Sequence, residues 1–134
     1  VLIIRQEQIN RLVMGSEKEF VEHLVGRVKD EHPAIESERD DKTLRKMVEN
    51  GIERAKSHDL ANAEDLTDFV LLMFDVAPNF DEQIQIKAVL DDERIPPDER
   101  IERARSPLVP AAAWEEAKNN YDENAWFSEP EKTE

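Results

Sequence analysis

Cysteine is absent from all 134 residues. Disulfides, iron–sulfur clusters, thiolate zinc sites and cysteine nucleophiles are therefore excluded. Glycine is nearly absent, and Gly15, Gly26 and Gly51 are too scattered to build a phosphate-cradling loop. Positive charge is scarce: 18 Lys and Arg face 32 Asp and Glu, a net charge of −14. A phosphate backbone repels such a chain, so nucleic acid is not an expected partner. Long apolar runs are missing too. The longest, Phe69 to Phe74, falls far short of the roughly 20 residues that span a membrane. Val1 to Ile4 leads straight into Arg5, Gln6 and Glu7, so no signal peptide is expected and the cytoplasm is the expected location.

Recognisable chemistry is equally thin. His23, His32 and His58 share no His-Glu-x-x-His spacing, and without cysteine they do not make a zinc set. His32 and His58 read instead as helix-end residues, where a cation suits the dipole. Asp91-Asp92-Glu93 invites a calcium loop, but Pro96 stands where the turn glycine belongs. Ser16 lies in Met-Gly-Ser-Glu-Lys rather than in a nucleophile elbow. The many carboxylates show no paired-acid pattern that implies a cleft. The expectation is a protein without metal or cofactor, and not an enzyme.

What the chain has is helical periodicity. Ile9, Leu12, Val13, Ser16, Phe20, Leu24 and Val28 fall at intervals of three and four, widened by Val21 and Val25. This predicts one long helix from about Arg5 to Glu31, ended by His32-Pro33. Gly15-Ser16 with Glu19 offers a capping box there as an alternative start. After a charged linker, Asp41 reads as the N-cap of a helix burying Leu44, Met47, Val48, Ile52 and Ala55, with Gly51 allowing close packing. Asn62 and Asp65 open a third helix whose run Phe69 to Phe74 is apolar almost all round, as suits the centre of a domain. Its Phe69, Val70, Leu72, Met73 and Phe74 are expected to pack on Leu24, Val28, Met47, Val48 and Ile52. Asp81 caps a short helix carrying Ile84, Ala88, Val89 and Leu90. Pro96-Pro97 starts another with Ile101 and Ala104, and Pro110 opens a last one with Trp114 and Ala117. No strand pattern appears. The fold expected is all-α: a single bundle of five to six helices over 1–107, then a short helix and polar, partly flexible tail over 108–134.

Charge is unevenly placed. Residues 1–60 carry 11 basic and 13 acidic side chains, whereas 61–134 carry 7 and 19, so most of the excess lies in the second half. One reading is a solvated face that keeps the protein in solution. The other is a negative surface that steers a basic partner. Glu64, Asp65, Asp68 and Asp75 share a helix that is otherwise strongly apolar and should project outward together. Asp81, Glu82, Asp91, Asp92 and Glu93 could extend the patch. Trp126 and Phe127, isolated in a polar tail, either dock back on the body or anchor a partner.

An ordered series of short matches adds a context. Ile3-Ile4-Arg5-Gln6 with Gln8, Phe20, His23-Leu24, His32-Pro33, Leu44-Arg45, Gly51-Ile52, Arg54-Ala55, Phe69-Val70, Leu72-Met73-Phe74, Pro78-Asn79-Phe80-Asp81 and Val89-Leu90-Asp91-Asp92 resemble a family of small helical proteins encoded among type VI secretion spike and effector genes. The resemblance covers roughly residues 2–102 and does not extend past about residue 107. It implies a cytoplasmic accessory to a secreted toxin or to the spike that carries it. The function expected is non-enzymatic capture of a protein partner with a basic surface, in an adaptor or chaperone role. An immunity protein against a toxin such as a nuclease, a small effector or enzyme, and a purely structural module are the alternatives.

Overall fold

A computed structural model describes residues 17–127. Among them are seven α-helices and two 3₁₀ turns, with no strand, so the fold is all-α. The helices are α1 (Glu17–Glu31), α2 (Ile35–Glu38), α3 (Asp41–Ser57), α4 (Ala63–Asp75), α5 (Ile84–Leu90), α6 (Pro97–Ala104) and α7 (Ala111–Asn119). The 3₁₀ turns are Phe80–Glu82 and Glu123–Trp126. The first half of the expected long helix, with Ile9, Leu12, Val13 and Ser16, lies outside the described residues. From Glu17 onward the stripe holds: Val21, Leu24, Val25 and Val28 are buried.

The centre of the molecule is α3 packed on α4, with α1 laid across both. Leu44, Met47, Val48, Ile52 and Ala55 of α3 meet Leu66, Phe69, Val70 and Met73 of α4 in one apolar core. Gly51 is where the two helices approach most closely. A Cβ there would stand 3.0 Å from Met73 Sδ and 3.1 Å from Val70 Cγ2. Within the apolar run of α4, Leu71 is buried, while Leu72 and Phe74 are only half-buried. A helix covered by α3 on one side and shorter elements elsewhere leaves part of its girth at the boundary.

Two start signals move by a residue or two. The cap of α3 is Asp40, which accepts a 2.7 Å hydrogen bond from the Thr43 backbone N–H, with Asp41 the first helical residue. Asp81 does not cap α5. Gln83 does, taking both the Gln85 and Ile86 N–H groups, and Asp81 is drawn inward instead. Ile84 and Ala88 consequently face solvent, and Ile86, Val89 and Leu90 are the buried side of α5. Within the linker, α2 adds a turn of helix that the sequence pattern does not reveal.

Helix α3 ends in a Schellman motif. Asp59 adopts a φ of 65°, its N–H donates to Lys56 O, and Leu60 N–H reaches back to Ala55 O. Past it, Phe80 is fully buried between Phe69 and Trp114, with ring centroids 4.8 and 5.7 Å away. Val109, Ala113 and Ala117 join the same core, so α7 packs as part of the body.

Candidate functional site

The candidate acidic residues of the second half fall into three places on the body. Glu64 and Asp75 stand at opposite ends of α4, about 16 Å apart by helical rise. Asp75 accepts from His32 Nε2 at 2.7 Å and belongs to the surface near the α1 end. Glu64, Asp65, Asp68 and Asp98 gather where the first turns of α4 and α6 approach. Glu82, Asp91 and Asp92 lie with Asp81 around the end of α3. Glu93 is exposed beside them.

Not all of these carboxylates project outward. Asp65 is 7% exposed, because it closes a reciprocal cap: its N–H donates to Asn62 Oδ1 and Asn62 Nδ2 donates to its Oδ2, both at 2.8 Å. Burial, opposed by the Asn62 hydrogen bond and reinforced by Asp68, Glu64 and Asp98, pushes its carboxyl up to about 6. Burial also raises Asp68, which sits half-buried one turn on. Asp98, a first-turn acid of α6 in sequence, joins this group only through the fold. Asp65 thus has three other carboxylates near enough to act on it, and both it and Asp68 are raised chiefly by burial.

Asp81 is buried for a different reason. Its Oδ1 accepts from Arg54 Nη2 at 2.6 Å and its Oδ2 from His58 Nε2 at 2.8 Å. His58 Nδ1 in turn donates to Asp91 Oδ1 at 2.6 Å. Burial works against the charge on His58, yet the hydrogen bonds from its ring to Asp81 and Asp91 overcome it and raise its pKa. Each ring nitrogen faces a carboxylate, an arrangement that favours the charged ring. Asp81 and Asp91 are correspondingly lowered: burial opposes their ionisation, and the bonds from His58, with Arg54 at Asp81 and Lys87 at Asp91, prevail. Arg54 Nη2 also reaches Glu82 at 3.0 Å, and Arg100 Nη1 donates to the His58 carbonyl at 2.9 Å. The whole set clamps the end of α3 to the 3₁₀ turn, α5 and α6. Asp92 is likewise committed, to the backbone N–H and guanidinium of Arg94.

Trp126 has docked back on the body. It is 3% exposed, its ring centroid is 4.5 Å from that of Phe74, and its indole N–H donates to Tyr121 Oη at 2.7 Å. Phe127, by contrast, remains 45% exposed. Beside Trp126 opens a cleft of about 450 Å³ between the His32–Arg39 segment and the tail, with Met47 and Phe74 in its lining. Nothing in the sequence pattern marks it, since its walls come from stretches more than 80 residues apart, as the Arg39–Glu123 pair shows. Among the described residues no group of three or more His, Asp or Glu is arranged to hold a metal ion, and no helix is long and apolar enough to cross a membrane.

No protein-family model, curated protein or solved structure matches the chain.

Proposed function

We propose that the protein is a non-enzymatic binding protein that captures a basic protein partner in a stoichiometric complex. Its role is that of an adaptor or chaperone for a type VI secretion effector or spike component in the cytoplasm. One observation carries the reading: the gathering of Glu64, Asp65, Asp68 and Asp98 where α4 and α6 begin. Like charges held together in a partly dry place are costly, and a cationic partner relieves that cost on binding. Nearby basic side chains do not remove it: burial raises both Asp65 and Asp68, although Arg105 and Arg27 pull Asp68 the other way. The secretion context comes from the sequence resemblance alone.

The test is co-expression with the spike and effector proteins encoded beside it. A complex of fixed stoichiometry, which Glu64→Lys with Asp98→Lys dissociates while leaving the fold intact, supports the reading. Loss of a toxin's activity upon capture would reassign the role to immunity. Absence of any complex with these products, or one indifferent to the charge reversal, contradicts it.

A further inference from the structure

The cleft beside Trp126 has a definite chemistry. Its floor is apolar: Met47 is buried, and Phe74 and Trp126 lie against one another. Its tail wall is already fixed. Asn50 Nδ2 donates to the Trp126 carbonyl at 2.8 Å, Tyr121 Oη donates to Glu123 at 2.8 Å, and Arg39 pairs with Glu123. No large ordering cost remains for a ligand to meet.

One charge at the mouth is left over. Arg39 is neutralised by Glu123, and the His32 ring is engaged by Asp75. Glu31 is likewise paired with Arg27 at 3.1 Å, whereas Glu38 is exposed and makes no ion pair among the described residues. The Glu38 carboxylate thus stands free at the rim of an aromatic and aliphatic hollow, with half-exposed Tyr121 at its edge. A group that is cationic at its tip and apolar along its stem matches both parts. Arginine suits it better than lysine, because a planar guanidinium stacks on an aromatic face while its fork bonds a carboxylate.

We propose that this cleft receives an arginine side chain from the basic partner, its stem along Phe74 and its guanidinium between the Tyr121 ring and Glu38. The inference rests on the acidic-capture reading and adds a second anchoring point to it, distinct from the Glu64–Asp98 group.

The experiment titrates the full chain with acetyl-Leu-Arg-Leu-amide and follows ¹⁵N–¹H spectra. The same peptide with citrulline, the neutral isostere of arginine, is the control. The expected result is saturable movement of the Trp126 indole signal and of the Glu38 and Arg39 amides. The citrulline peptide should bind at least about threefold more weakly, and so should the arginine peptide to the Glu31→Gln, Glu38→Gln double variant. Equal binding of both peptides, or an unmoved Trp126 signal, overturns the proposal. Movement confined to residues around Glu64 and Asp98 also overturns the cleft but supports acidic capture, so the two failures are told apart.

Discussion

At the scale of the residue, charge placement decides most of what is measurable. Asp81 is 5% exposed and accepts from both Arg54 and His58. Asp81→Ala would leave Arg54 only the exposed Glu82 and His58 only Asp91, and urea melts should show a loss on the order of 2–3 kcal/mol. The clamp also has a pH signature. His58 has a raised folded-state pKa, so its contribution is complete below its unfolded value of about 6.5 and is lost as pH rises through the folded value. Asp81 and Asp91 are lowered, so theirs is present above about 4 and is lost on acidification. His58→Gln should flatten the alkaline limb of the stability profile. Asp65 works in the opposite sense. Its carboxyl titrates near 6, so the folded state loses stability as pH rises from about 4 to 6 and its charge becomes a burden. Asp65→Asn should raise stability at pH 7.5 by on the order of 1–2 kcal/mol, and the gain should vanish at pH 4. A variant equally stable at both pH values would contradict this assignment.

At the scale of the element, the helices were legible wherever one face alone was apolar. The stripes of α1 from Phe20 onward and of α3 needed only spacing, and the Asn62–Asp65 cap is where the sequence puts it. Helix α4 was harder, because a run that is apolar all round has no phase. Nothing in Phe69 to Phe74 distinguishes Leu71, which is buried, from Leu72, which is not. The cap of α5 was misplaced because Asp81 is as good a local cap as Gln83, and only the distant Arg54 and His58 draw it away. The buried clamp and the cleft were illegible for the same reason: partners far apart in sequence leave no spacing to read. Two variants separate the boundary of α4 from its centre. Phe69→Ala, at a fully buried site, should cost about 3–5 kcal/mol in a urea melt. Phe74→Ala, half-buried against Trp126, should cost about 1–3 kcal/mol and release the indole emission of Trp126 toward the red. Gly51→Leu would drive a side chain into Met73 and Val70 and should cost on the order of 1–3 kcal/mol.

At the scale of the whole molecule, the charge of −14 is neither spread evenly nor presented as one sheet. Part of it is consumed internally, by Arg54, His58 and Arg94, which makes Asp91 and Asp92 poor places to probe binding. Carboxylates outside those pairs include Glu64, Asp65, Asp68 and Asp98 and, at the cleft mouth, Glu38. Exposed Glu64 and Asp98 contribute little to folding, so reversing them tests recognition without disturbing the core. The most direct measurement is the association rate of the co-purified partner with the parent and with Glu64→Lys, Asp98→Lys, from low to physiological salt. Steering by this group predicts that the parent's rate falls as salt rises, that the variant starts slower, and that the variant's salt slope is shallower. Identical rates and identical slopes would contradict the account and leave the acidity a property of solubility alone.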